Sequence, residues 1–210
     1  DIGDYIQVQS YTATNNSGVL TFVAVALATG TADGGSYIDG DGVQWKQIFG
    51  PDVTAESFGL GAASGSEATR LQRAINYVSA QGGGTVTYSG TVTLPDTTIT
   101  IPNGVTLKGT LSYPSGWRED TAVFGTKFFI TASTGFTVQT GGCIVGCCIQ
   151  RVGVEYSQTA AQAAAWTGTA INATGSGSSI QDCMILGFAL GASFGIVSGT
   201  ARVDMQNVFI

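Results

Sequence analysis

Residues 64–109 constrain the fold more than any other part of the chain, because a helical pattern gives way there to a run of short strands. Ala68, Leu71, Ala74, Ile75 and Val78 recur at helical spacing and form one apolar stripe. Ser66 stands at the N-cap position, and Glu67 lies in the first turn, where the helix dipole favours a negative charge. Thr69 occupies the place at which a capping box would carry Glu. Gly82 suits a left-handed stop, and Gly83 and Gly84 prevent any continuation. The spacing predicts one helix over residues 66–81.

Beyond the glycines come Thr85-Val86-Thr87-Tyr88, Thr91-Val92-Thr93-Leu94, Thr98-Ile99-Thr100-Ile101 and Val105-Thr106-Leu107. Each is short, alternating and rich in β-branched residues, which predicts a strand with one buried face. Ser89-Gly90, Pro95-Asp96 and Pro102-Asn103-Gly104 punctuate them with residues that fix φ or tolerate positive φ. Strands of about four residues this closely spaced suit a solenoid coil better than a long-stranded barrel. The end of a solenoid is an open strand edge, so a helix placed before the first coil has an edge to cover.

These residues carry a resemblance. Glu67-Ala68-Thr69, Leu71-Gln72, Ala74-Ile75, residues 82–86, Ile101-Pro102 and residues 104–109 match the entry into the right-handed parallel β-helix of pectate-lyase-like proteins, which include phage tailspikes and polysaccharide depolymerases. Upstream the chain departs from that pattern. The family commonly carries paired Asp residues before the helix, and residues 58–67 lack them. The glycine triplet lies where the family has a tight turn, so a nucleotide-binding reading is rejected.

Residues 1–51 read as a separate small β unit. Residues 5–11 alternate, Asn15-Asn16-Ser17-Gly18 turns, residues 19–26 return, 30–35 loop, and residues 36–39 and 43–49 close the unit. Residues 32–50 resemble the small β adaptor that precedes the β-helix in many phage tailspikes. Both resemblances occur in the family's order. The expected architecture is all-β: a small β adaptor over residues 1–51, then a right-handed parallel β-helix with an amino-terminal capping helix over residues 52–210.

Composition agrees with a solenoid. Charged residues make up 10% of the chain, against the usual ~25%, and Gly numbers 31 among 210 residues. Net charge is −6 with only 8 Lys and Arg, so nothing supports nucleic-acid binding. No apolar run reaches the ~18 residues of a membrane span; residues 19–28 are apolar but too short. No signal peptide is visible, and the chain starts at Asp1 rather than Met.

Three of the four cysteines cluster as Cys143, Cys147 and Cys148, and Cys183 stands alone. The chain has no His, and the paired elbows of an all-cysteine zinc site are missing, so no metal and no cofactor are expected. Buried, reduced thiols are the favoured reading. Asp39-Gly40-Asp41-Gly42 invites a calcium reading, but no Glu follows at EF-hand distance, and a hairpin turn explains it better.

Further strands are expected at residues 126–131, 136–139, 148–156, 170–173, 180–186 and 203–210, with a short helical turn at 160–165. Pieces beginning at Ile149, Ile180 and Val203 share one apolar-polar pattern and read as stacked repeats. The chain stops inside the last piece without a polar cap, which suggests the amino-terminal part of a longer protein with about four or five coils.

Glycoside cleavage by acid–base catalysis needs two carboxylates, and matching positions on adjacent coils would stand about 4.8 Å apart. Glu155, Asp182 and Asp204 are the candidates, although a solvated face or turn accounts for each more simply. Trp117 and Trp166 lie in polar surroundings and are candidates for stacking on a sugar, or for packing on a solenoid flank. Trp45, inside an alternating strand, reads as core.

Two functions follow from the resemblance. The first is the amino-terminal part of a tailspike in a phage virion, assembled in the host cytoplasm. It would be a homotrimer joining virion baseplate or tail adaptor proteins to a β-helix that recognises bacterial surface polysaccharide, and the full-length protein would be a depolymerase. The alternative is a monomeric β-helix polysaccharide lyase or glycoside hydrolase. The adaptor-like first 51 residues favour the first.

Overall fold

The computed structural model describes residues 1–9, 19–30, 32, 35–40, 42–49, 52–61, 66–95, 97–110, 125–153, 167–194 and 203–206. The expected turn at 15–18, the expected helical turn at 160–165, and Trp117, Glu155 and Trp166 lie outside these residues.

The first unit is an antiparallel sheet of β1 (Tyr5–Val8), β2 (Leu20–Val25), β3 (Tyr37–Gly40) and β4 (Val43–Ile48), in the order β1-β2-β4-β3. Gly40 pairs with Val43, and Gly42 takes φ +75°, as a tight hairpin connection from β3 to β4 requires. Directly opposed residues share a face. That places Ile6, Val8, Leu20, Phe22, Ala24, Ile38 and Trp45 on one apolar side, and Tyr37 and Lys46 on the other.

Trp45 corrects an expectation, for it is half-buried, while Gln44 and Gln47 are the buried residues of β4. The reason for Gln44 is hydrogen bonding. Its Oε1 accepts from the Gly30 N–H at 2.7 Å, and its Nε2 donates to the Gly30 carbonyl at 2.9 Å and to Asp39 Oδ1 at 2.8 Å. A buried amide with these partners ties a loop to the hairpin, which an indole in that place would not do.

β5 (Val53–Thr54) and a 3₁₀ turn (Ala55–Phe58) lead to α1 (Glu67–Ala80). Ser66 Oγ accepts from the Thr69 N–H at 3.3 Å, and the expected stripe of Ala68, Leu71, Ala74, Ile75 and Val78 is the buried face. The helix ends through Gly82 at φ +95°. Gly83 follows at φ +110°, where an added Cβ would stand 2.6 Å from the Gly104 carbonyl oxygen. Only glycine meets both demands.

A parallel β-helix follows. Its coils run β6 (Gly84–Thr87), β7 (Thr91–Leu94), β8 (Ile99–Ile101); β9 (Val105–Lys108), β10 (Lys127–Ile130), β11 (Thr134–Val138); β12 (Cys143–Val145), β13 (Cys148–Arg151), β14 (Thr169–Ala173); and β15 (Ser178–Gln181), β16 (Met184–Leu186), β17 (Leu190–Phe194), with β18 (Val203–Gln206) opening a further coil. Corresponding strands stack into three parallel sheets, β5-β6-β9-β12-β15-β18, β7-β10-β13-β16 and β8-β11-β14-β17. α1 packs against the 3₁₀ turn and β5 to β9.

Register explains the core. Val53, Val86, Leu107, Ile144 and Ile180 form one inward column, and Val92, Phe128, Ile149 and Ile185 another. All are buried, and each aliphatic side chain so buried contributes about 1.5–3 kcal/mol. Phe128 meets Phe136 edge to face at 5.5 Å, joining two columns inside the coil.

Two expectations about the repeats fail. Ile149 belongs to a different sheet from Ile180, and Ile180 pairs with Met205 rather than with Val203. Strands on the three sides share one alternating pattern, and residues 111–124 and 154–166 intervene within coils, so spacing along the chain does not report register. The single strand expected over 180–186 is also two strands. Asp182, at φ +50°, turns the corner between β15 and β16.

Candidate functional site

The two described acidic candidates do not form a stacked pair. Asp204 lies on β18 opposite Ser179, whereas Asp182 sits at the corner after β15, its N–H donating to the Gln206 carbonyl at 2.9 Å. That bond continues a ladder in which Tyr88, Gly109 and Gly146 donate in turn to Lys108, Val145 and Gln181 of the next coil. The backbone role of Asp182 is therefore the same as that of a corner glycine. Asp204 is half-buried on the outer face, alternating with the inward column.

Two carboxylates, of which sequence reasoning singled out only Glu67, lie at the entry to the β-helix. Glu56 Oε1 accepts from the Ser89 N–H at 3.1 Å. Glu67 Oε2 accepts from the Gly61 N–H at 2.8 Å, and its Oε1 pairs with Arg70 Nη1 at 3.2 Å. Both carboxylates act electrostatically on the buried phenol of Tyr88, whose ring stacks on Phe128 at 5.6 Å. Burial raises the Glu56 carboxyl above its ordinary value of 4.5, and the Ser89 N–H opposes that rise. Burial, reinforced by Glu56 and Glu67, also raises the Tyr88 phenol.

This arrangement binds segments together rather than presenting reagents. Glu56 holds the 3₁₀ turn to the corner after β6, and Glu67 holds α1 to the turn that precedes it. Helix periodicity alone places Glu67 in the first turn, but the Glu56 contact spans 33 residues and leaves no local signal.

The cysteines form a second cluster. Cys183 follows Cys147 on the next coil at the same corner, next to the Cys148–Met184 pair. All four are free thiols, with Cys147, Cys148 and Cys183 buried and Cys143 half-buried. Ser179 Oγ donates to Cys143 Sγ at 2.8 Å. Burial pushes the Cys148 thiol up to about 11 and Cys183 up to about 12, so neither is a nucleophile near neutral pH. Among the described residues no cluster of acids and cysteines has the arrangement of a metal site, and no helix is long and apolar enough to cross a membrane.

The three-sheet coil with a small antiparallel sheet before it defines a parallel β-helix, and the same fold is found among solved structures. The sequence matches no family model and no curated protein. The fold is nevertheless similar to that of tailspike protein gp49 from Acinetobacter baumannii bacteriophage Fri1, a capsular polysaccharide depolymerase (TM-score 0.69, 20% identity, 99% of this chain and 40% of that one). It is also similar to the enzymatically active domain of bacteriophage CBA120 tailspike protein 2 (0.66, 14%, 99% and 32%). A third similar structure is the Acinetobacter phage vB_ApiP_P1 tailspike protein (0.59, 14%, 100% and 36%). The fold is tailspike-like over nearly the whole chain, and the chain spans 40% or less of each of these proteins.

Proposed function

We propose that this chain is the amino-terminal part of a phage tailspike, joining the virion tail to a right-handed β-helix that recognises and degrades a bacterial surface polysaccharide. The observation that carries the reading is the order of parts, an antiparallel sheet, a short helix against the first coil, then parallel coils, together with tailspike-like structure over 99% of the chain. In this reading residues 1–51 are the adaptor, residues 52–210 begin the β-helix, and α1 is its cap.

The cap assignment rests on physical chemistry. β8 is the outer strand of its sheet, with β11 on one side only. On the other side Gln72 of α1 donates Nε2 to the Thr100 carbonyl at 3.0 Å and accepts the Thr100 N–H at 2.8 Å. The side-chain amide takes the place of the missing strand and closes an edge otherwise open to pairing.

The chain functions as a homotrimer bound to virion baseplate or tail adaptor proteins. Support comes from the first sheet, whose apolar side leaves Ile6 39%, Val8 40% and Ile38 37% exposed. Tyr37 and Lys46, on the other side, line a cleft with α1, while Leu20, Phe22 and Ala24 on the apolar side are already buried, so contact with further copies falls on the exposed edge residues Ile6, Val8 and Ile38. Free thiols accord with assembly in the reducing host cytoplasm.

The test is to incubate the longer protein that contains this chain with purified capsular polysaccharide of a sensitive host and follow polymer size by gel filtration. Shortened polymer is the expected result, and ultraviolet-absorbing unsaturated ends would mark a lyase rather than a hydrolase. Polymer of unchanged size across a panel of capsules would overturn the degradative reading.

A further inference from the structure

The first sheet and α1 enclose a cleft of about 530 Å³, within the ~300–1,000 Å³ typical of small-molecule sites. Tyr37 and Lys46 line one wall; Arg73, Asn76, Tyr77 and Gln81 line the other. The elements place these residues by their own periodicities. Tyr37 and Lys46 are direct cross-strand partners, so both leave the same face of the sheet. Arg73, Asn76 and Tyr77 stand three and four residues apart on one face of α1, and Gln81 is its C-cap.

Both rings are held before any ligand arrives. Tyr77 packs on Phe49 at 4.4 Å and on Phe58 at 5.8 Å. Tyr37 lies against Gly30, where an added Cβ would stand 2.5 Å from the ring. Binding to such rings loses little side-chain freedom.

The chemistry of the walls is selective. Phenol rings offer apolar faces and hydroxyls, and amides hydrogen-bond to paired hydroxyls. Each wall carries a cation, Lys46 on the sheet and Arg73 on the helix, and either can donate to a carboxylate. Lys46 and Arg73 bring two of the chain's eight basic side chains to this one cleft.

We propose that this cleft is a binding site for a carboxylated sugar, separate from any groove further along the β-helix. The ligand class rests on the polysaccharide reading above, but the site requires no cleavage.

The test is a nuclear magnetic resonance titration of the isotope-labelled chain with sodium glucuronate, with glucose and sodium acetate as controls at constant ionic strength. Glucuronate is expected to shift the amides of Tyr37, Lys46, Arg73 and Tyr77 saturably, with an affinity roughly tenfold above either control. Lys46→Ala and Arg73→Gln should each weaken glucuronate binding several-fold while leaving the rest of the spectrum in place. Absence of saturable shifts, acetate or glucose binding as well as glucuronate, or unchanged affinity in both variants would overturn the proposal. Glucuronate binding alongside intact polymer in the depolymerisation assay would retain the cleft and remove the degradative function; cleaved polymer with no glucuronate binding would do the reverse.

Discussion

Replacing Gln72 with Ala removes both hydrogen bonds that close the free edge of β8, and its cost follows from their geometry. Thr100 N–H and C=O lose partners at 2.8 and 3.0 Å. A net intramolecular hydrogen bond contributes about 0.5–1.5 kcal/mol, so the pair predicts a loss of about 1–3 kcal/mol. Thr100 is half-buried, and water replacing part of what is lost favours the lower half of that range. Equilibrium urea unfolding followed by far-ultraviolet circular dichroism measures the change, provided the slope stays constant. In a chain of this size each kcal/mol corresponds to about 2–4 °C in Tm. Gln72→Glu sharpens the test. It keeps an acceptor for the Thr100 N–H but turns a carboxylate towards the Thr100 carbonyl, so it should destabilise at neutral pH and recover on acidification, when the protonated carboxyl can donate. A Gln72→Ala chain within about 0.5 kcal/mol of the parent would refute the reasoning, since that is the scatter expected of an uninvolved surface position.

Other consequences are as direct. Gly83→Ala forces a side chain into positive φ and into the Gly104 carbonyl, and should cost about 1–3 kcal/mol or more in the same unfolding assay. Ser66→Ala removes the N-cap acceptor of Thr69 N–H and should cost about 0.5–2 kcal/mol, with Ser66→Asp retaining most of the stability. Because the folded chain holds the Glu56 proton more tightly than the unfolded chain, the stability this group contributes is full below its ordinary value of 4.5 and declines as pH rises through the raised folded value. Glu56→Gln, which keeps an acceptor for the Ser89 N–H, should abolish that decline and exceed the parent in stability at neutral pH but not in acid; parallel pH–stability curves would contradict this. A thiol-reactive disulfide dye at pH 8 should label Cys143 alone in the folded chain and all four cysteines after unfolding, and rapid labelling of Cys147 or Cys183 before unfolding would contradict their burial.

The helix and the first coil were legible because their determinants are local. Ser66, the stripe from Ala68 to Val78 and the closing glycines act within a few residues of one another, and the four strands after them alternate cleanly. The later coils were less so. β12 (Cys143–Val145) is short and has one buried residue, and the corner at Asp182 carries no Gly or Pro to announce it. β17 (Leu190–Phe194) carries Gly191 and Ala192, which weaken a strand pattern. Register depends on long-range pairing, and so Ile149 and Ile180 looked equivalent while lying on different sides of the coil. The Glu56–Ser89 contact and the cleft between Lys46 and Arg73 join residues far apart in the chain, and nothing in the local pattern of either partner points to the other.

The tailspike reading is tested most directly by the solution mass of the chain, measured by light scattering across a concentration series. Association through the apolar side of the first sheet predicts three times the 21.4 kDa of one chain, with Ile6→Lys and Val8→Lys lowering it to one. A mass of 21.4 kDa at every concentration, unaffected by those substitutions, would contradict a trimeric spike built on this sheet.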